Sequence, residues 1–154
     1  AFYNLAYLSM ELSSFDEAIE NFNKFIKMQP NHSRAHFGLG NAMMMKGQLD
    51  LAMLEYRVSG KLDSTFALPY MNMANIQMQI KNIPAAIENY KKALQIKPDM
   101  FVVHLSLGMI YYQFKNEIPT ALDYLKEALR LSPTQPDTAR IKSLIVELEN
   151  KQPT

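Results

Sequence analysis

Four small residues, Ala6, Gly40, Ala74 and Gly108, stand 34 residues apart, and each follows a larger apolar residue: Leu5, Leu39, Met73 and Leu107. A second register runs through Ala18, Ala52 and Ala86, each followed four residues on by a ring: Phe22, Tyr56 and Tyr90. Ala121 with Leu125 completes it, 35 residues past Ala86 instead of 34. The stretch from Ala67 to Pro98 carries the pattern most fully, on a skeleton of Tyr70, Ala74, Ala86, Tyr90, Ala93 and Pro98. Self-similarity at this period is the mark of a solenoid, because one short unit cannot bury its apolar face alone and must stack on its neighbours.

Those runs, together with Pro30, Pro98 and Pro133, resemble the tetratricopeptide repeat, whose unit reads W-x2-L-G-x2-Y, then A-x3-F, then P. The resemblance covers residues 2–133 in four registered copies. It implies an all-α, right-handed superhelical α-solenoid of antiparallel helix pairs. The expected units are 1–32, 33–66, 67–100 and 101–135, so the four repeats fill 1–133, and a capping helix is expected over 136–151. The sequence also departs from the pattern. Ser64 replaces the second closing proline, Phe25 and Ser59 take positions where alanine is usual, and Ser9 and Gln77 replace large apolar residues. Gln77 and Phe25 are expected to loosen local packing, and the extra residue of the fourth copy is placed in the turn from Lys115 to Pro119.

Along the chain, helices are expected over Phe2–Glu11 and Asp16–Met28, with a turn at Ser13–Ser14 and a capping box from Ser14 to Glu17. The second unit runs from Ser33 to Lys61 and turns at Gly47, where a residue without Cβ tolerates a left-handed backbone. Pro69, Pro84 and Pro119 each suit a first helical turn, where no amide hydrogen bond is lost. From Asp137 to Asn150, Ile141, Leu144, Ile145 and Leu148 form a narrow apolar stripe backed by charges, as a terminal helix needs to close the last open face. The Pro153–Thr154 end is expected to fray.

Sixteen basic against fifteen acidic residues give a formal charge of +1, without the basic stripe that nucleic-acid binding requires. Lys91, Lys92 and Lys97 come nearest to one and read as a solvated helix face. No stretch reaches the apolar length of a membrane-spanning helix. The absence of cysteine excludes disulfides and thiolate metal sites. The start at Ala1, nearly inside the first helix, suggests an excerpt of a longer protein. No nucleotide-binding or hydrolase motif is present. His32 and His36 lie four apart without an acidic residue to complete a metal set, and read as turn and groove-edge residues. His104, where the family often has tryptophan, reads as a packed helix-face histidine. No catalytic residue, metal or cofactor is implied.

Methionine carries more information. Eleven are present, clustered at Met43–Met45, at Met71, Met73 and Met78, and at Met109. Met73 occupies a core slot. In the family that the chain resembles, the first helix of each unit lines a concave groove. Carried over by position, that groove comprises Tyr3, Tyr7, Met10 and Glu11, then Arg34, Phe37, Asn41, Met44 and Met45. It continues with Leu68, Met71, Asn75, Met78 and Gln79, then Val102, Leu105, Met109, Tyr112 and Gln113. The set is nearly uncharged and rich in methionine and aromatics, which suits an adaptable binding surface. Asn41 and Asn75, one repeat apart, are expected to pair with the backbone of an extended peptide. Phe37, Val102 and Ser106 stand where relatives that clamp a terminal carboxylate carry cations, which argues against that subtype.

The reading is therefore a protein-interaction module for a peptide or protein segment with apolar anchors, without nucleic acid or membrane insertion. Two other readings stand beside it: the substrate-selecting repeat region of a larger enzyme such as a sugar transferase, and a self-associating scaffold. The compartment is left open, with a cytoplasmic setting favoured.

Overall fold

The computed structural model of the 154-residue chain describes residues 1–131, 134 and 138–151. Among these the chain forms nine helices: α1 (Phe2–Glu11), α2 (Phe15–Met28), α3 (Ser33–Met45), α4 (Leu49–Leu62), α5 (Leu68–Gln79), α6 (Ile83–Ile96), α7 (Phe101–Gln113), α8 (Ile118–Leu131) and α9 (Thr138–Asn150). Each of the first four pairs closes through one left-handed residue: Ser13 at φ 57, Gly47 at φ 75, Lys81 at φ 62 and Asn116 at φ 51. The following amide then returns to the end of the first helix. Ser14 N donates to Ser9 O at 2.8 Å, Gln48 N to Met43 O at 2.9 Å, Asn82 N to Gln77 O at 2.8 Å and Glu117 N to Tyr111 O at 2.9 Å. The first three bonds reach back five residues and the last six, so the fourth copy's extra residue is taken up between Tyr111 and Asn116.

Prolines sit in the first turns of α5 and α6 as expected, and Pro119 is the second residue of α8. The Ser14 capping box does not form. At a nearly identical backbone geometry, Asn82 Oδ1 accepts from Ala85 N at 3.4 Å, whereas Ser14 makes no side-chain cap bond.

Packing runs between sequential neighbours, from α1 on α2 through α8 on α9, with α1 also touching α3. The core is accordingly a ribbon of three clusters: one around Ala6, Ala18, Phe22 and Leu39, one around Tyr56, Tyr70 and Met73, and one around Tyr90, Leu107 and Leu125. Ala6, Ala18, Ala52, Ala74, Ala86 and Ala121 are fully buried, as close helix approach requires. Gly40 and Gly108 lie so close to the next helix that an added Cβ would stand 2.7 Å from Tyr56 and Leu125 respectively.

The departures from the repeat pattern at Phe25, Gln77 and Ser59 each find partners, and Gln77 also lines a cavity where α4, α5 and α6 meet. Phe25 packs against the rings of Tyr3 and His32, each at 5.1 Å, and Gln77 Oε1 accepts from Asn89 Nδ2 at 2.8 Å. Buried Ser59 meets Ser33, whose Oγ donates to its carbonyl at 2.9 Å. Helix α9 buries Thr138, Ile141, Ile145 and Leu148 on one side and is tied to α8 by Lys126–Glu149 at 2.6 Å. Pro133, Asp137 and the Pro153–Thr154 end fall outside the described residues.

Candidate protein-binding groove

The face expected to be concave stays accessible. None of Tyr3, Tyr7, Met10, Arg34, Phe37, Asn41, Met44, Met45, Leu68, Met71, Asn75, Met78, Gln79, Val102, Leu105, Met109 and Tyr112 is buried. Met45, Leu68 and Val102 are the most open of its apolar members, at 56%, 38% and 54% exposure. Glu11 and Gln113 lie exposed at the C-terminal ends of α1 and α7.

At the N-terminal end the groove is aromatic. Tyr3 and Tyr7 meet edge to face at 4.9 Å, and Tyr7 stands edge-on to buried Phe22 at 5.2 Å. The Tyr7 hydroxyl donates to Arg34 O at 3.4 Å, and burial, reinforced by Tyr3, raises the phenol far above its ordinary pKa. Phe37 contacts the rings of Phe66 at 4.9 Å and Tyr56 at 5.6 Å, and the Arg34 guanidinium covers Phe66 at 5.0 Å.

In the middle repeats the two asparagines serve the fold first. Asn41 Oδ1 accepts from the Tyr56 hydroxyl at 2.7 Å and from Asn72 Nδ2 at 3.0 Å, and Asn75 Oδ1 accepts from the Tyr90 hydroxyl at 2.5 Å. Met44 Sδ also lies 3.7 Å from the Tyr56 hydroxyl. The correlation along the chain explains the pairing. Where the inter-unit residue is a tyrosine, the facing groove position is asparagine; where it is Phe22 or Leu125, the position is Tyr7 or Met109. A buried phenol needs an acceptor, and the amide supplies it. Burial pushes the Tyr56 phenol up to about 12 and raises that of Tyr90.

Toward the C-terminus the surface opens into two cavities that share Leu105 and Met109. One, of about 280 Å³, lies between α5 and α7 and is bounded also by Met78, Tyr90 and Ser106. The other, of about 370 Å³, lies between α7 and α9 and adds Arg140, Ile141 and Leu144. Helix α9 thus extends the lining as well as covering α8. The sequence reading omitted Arg140 and Leu144, although Leu144 stands 35 residues past Met109, the same step that separates Ala86 from Ala121. Tyr112 is partly covered by the chain itself, with the Lys151 ammonium 5.8 Å from its ring centre.

The histidines belong to the scaffold. His32 caps α3, its Nδ1 accepting from Ala35 N at 3.1 Å. His36 is buried, contrary to its reading as a groove-edge residue: Nε2 lies 2.8 Å from Pro30 O and Nδ1 2.7 Å from Glu55 Oε2. His104, two repeats on, repeats the first of these bonds with Nε2 at 2.7 Å from Pro98 O. In both, the ring ties the start of a unit to the proline that closes the one before. Among the described residues no group of three His, Cys, Asp or Glu side chains is placed to hold a metal.

Sequential antiparallel helix pairs, recurrent left-handed turns and an accessible face along the odd-numbered helices define an α-solenoid of the protein-interaction class. Comparison with known proteins gives its family: a tetratricopeptide repeat model matches residues 3–60, and a TPR repeat model matches 74–113. The chain belongs to the tetratricopeptide repeat family. It is 30% identical over 152 residues to human protein O-mannosyl-transferase TMTC3, across 94% of this chain but 16% of that protein. It is 25% identical over 129 residues to anaphase-promoting complex subunit CDC16 of Saccharomyces cerevisiae, across 84% and 15% respectively. The crystal structure of MamA superposes with a TM-score of 0.81 at 21% identity, covering 97% of this chain and 81% of that one, a likeness of fold. The chain therefore spans less than a fifth of the length of these curated relatives.

Proposed function

We propose that this solenoid holds a protein or peptide segment in its concave groove, with apolar side chains of the ligand anchored around Met78, Leu105 and Met109. The observation that carries this reading is the pair of cavities flanking α7, which share Leu105 and Met109 and are lined chiefly by apolar groups. Flexible methionines there adapt to different anchors, and Tyr7 and Phe37 offer rigid contact area nearer the N-terminus. Asn41 gives both carbonyl lone pairs to Tyr56 and Asn72, so its contribution to a ligand is the Nδ2 donor, whereas Asn75 gives one to Tyr90 and keeps the other. At Asn41 the groove then only donates to a peptide carbonyl, while Asn75 retains both a donor and an acceptor for the two-way pairing.

Peptides displayed in random sequence and selected on the intact chain test this. Selected sequences should share two or more large apolar residues. Met78→Glu with Met109→Glu should abolish their binding while circular dichroism stays unchanged. Selection of uniformly charged sequences, or undiminished binding by the double variant, refutes the groove.

A second reading has its own support. Identity to TMTC3 extends across nearly the whole chain, so the repeats are also those expected beside a sugar transferase, where the same groove would present an acceptor protein. A groove that binds segments rich in serine and threonine, and transfers sugar to them only when joined to a catalytic domain, would separate this from a free-standing receptor.

A further inference from the structure

On the side of α5 turned away from the groove, a cavity of about 230 Å³ opens where α4, α5 and α6 meet. Its rim carries Arg57 and Lys61 from α4 and Lys92 from α6; its floor is buried Tyr70 and Met73, with the amides of Gln77 and Asn89 at the side. No carboxylate lines it. Among the described residues, none of the three cations makes an ion pair, whereas Lys24, Lys46, Lys126, Arg130 and Lys151 all do. Glu88 stands one turn before Lys92 on α6, yet the Lys92 ammonium lies 4.4 Å over the Tyr70 ring instead. Asn89 Nδ2 donates to Gln77 Oε1 at 2.8 Å, which occupies the Gln77 carbonyl oxygen and leaves its Nε2 as the donor of that amide at the cavity.

The repeat supplies an internal control. The same junction one unit earlier carries Asn23, Lys27 and Val58 where Arg57, Lys61 and Lys92 stand, and Glu55 where Asn89 stands. There the Glu55 carboxylate is bound to His36, which replaces Tyr70. One unit later the three positions are Lys91, Gln95 and Glu127. Each neighbouring junction thus sets one carboxylate against one long basic chain, and the middle one sets three cations against none. Three like charges around one recess repel each other, and a recess with low-dielectric walls concentrates their field on whatever enters.

We propose that this junction is an anion site that takes the phosphoryl group of a phosphorylated protein segment, on the face opposite the groove. Charge and donor count favour phosphate over carboxylate. A phosphoserine carries about −1.5 to −2 charge and three acceptor oxygens, which three cationic side chains can meet together. The guanidinium of Arg57 offers the bidentate fork, the two lysines act as point charges, and Gln77 supplies a neutral donor. The Tyr70 ring positions Lys92 without neutralising it.

The test is nuclear magnetic resonance titration of the isotope-labelled chain with inorganic phosphate, a short phosphoserine peptide, its glutamate counterpart and a single-stranded oligonucleotide. The phosphoserine peptide should produce saturable shifts confined to Tyr70, Gln77, Asn89 and their neighbours, and should bind about tenfold or more tightly than the glutamate peptide. Inorganic phosphate should shift the same resonances more weakly; equal affinity for the two would assign the site to the free ion and overturn the peptide proposal. Arg57→Gln with Lys92→Gln should remove the localised shifts. Asn89→Glu, which installs the carboxylate of the preceding junction, should do the same in a chain whose thermal unfolding is unchanged. Shifts spread over all surface lysines, persistence of binding in either variant, or tighter binding of the oligonucleotide through the same residues would overturn it.

Discussion

Replacing Gly40 with alanine adds one methyl group at the point where α3 crosses α4, and its effect can be worked out from the contacts. The new Cβ would stand 2.7 and 2.9 Å from two Tyr56 ring carbons and 3.2 Å from the Ala52 carbonyl oxygen, well inside the separation at which carbon atoms attract. Tyr56 cannot swing aside, because it is fully buried and its hydroxyl is held by Asn41 at 2.7 Å. The helices must separate, at an overpacking cost of about 1–3 kcal/mol. Alanine returns about 1 kcal/mol through its helix propensity. The net expectation is destabilisation by up to roughly 2 kcal/mol. In a Tyr56→Val background the ring carbons are gone and only the carbonyl contact remains, so the same substitution should become neutral or stabilise by up to about 1 kcal/mol. Urea unfolding followed by circular dichroism gives all four corners of this cycle. Equal destabilisation in both backgrounds would show that the glycine is not there to admit the tyrosine.

Further outcomes follow from the same geometry. Leu39→Ala should cost about 2–5 kcal/mol, since Leu39 is 2% exposed. Leu5→Ala, at the equivalent position but 41% exposed, should cost a fraction of that; equal losses in denaturant would contradict the stacking order. Tyr90→Phe should destabilise by about 0.5–1.5 kcal/mol, and Asn75→Ala by at least as much, because it strands the buried hydroxyl while the phenylalanine variant leaves its amide open to water. The raised phenols of Tyr7, Tyr56, Tyr90 and Tyr124 mean that the folded state holds these protons more tightly than the unfolded chain. Their contribution to stability is intact below the ordinary tyrosine pKa of about 10 and is lost as pH rises toward the folded value, about 12 for Tyr56. Tyrosinate absorbance should therefore develop with unfolding; full ionisation in a chain that keeps its helical signal would refute this. Removing 138–151 strips Ile141, Ile145 and Leu148 from the face of α8 and should promote aggregation, measured by light scattering.

The fold was legible because the repeat writes the same sterics several times. A small residue recurs wherever two helices cross, and the left-handed turn residue falls at 13, 47 and 81 in one 34-residue register and at 116 one residue later. Glycine marks only one of those turns; at Ser13 and Lys81 the period itself identifies a residue that type alone would not, and at Asn116 the extra residue moves it one place on. The pairing of each groove asparagine with a tyrosine was also present in the sequence, as a correlation between positions 41 and 56 and between 75 and 90. It is invisible to a reading that takes asparagine on a groove as a ligand donor by analogy. Two features lay beyond the sequence. The burial of His36 depends on Glu55 and the Pro30 carbonyl arriving from different elements. The cluster of Arg57, Lys61 and Lys92 needs α4 and α6 to face one another across α5, whereas in sequence only Lys91, Lys92 and Lys97 look grouped.

Helices α1 and α9 differ in chemistry from the lateral faces of the repeats. On α9 the exposed side presents Lys142, Ser143 and Asn150, with Val146 the one large apolar exception at 56% exposure. On α1, Leu5, Leu8 and Leu12 are exposed at 41%, 50% and 68%, although Leu39, Met73 and Leu107, which correspond to Leu5, are 5% exposed or less. The two proposed sites lie on the lateral faces, whose side chains the stacking of helices leaves unused. The groove side is apolar and adaptable, and the outer junction at α4, α5 and α6 is cationic and framed by amides. A ligand segment with apolar anchors and one with a dianionic group would therefore engage opposite sides of the same helix, α5, without competing for a single side chain.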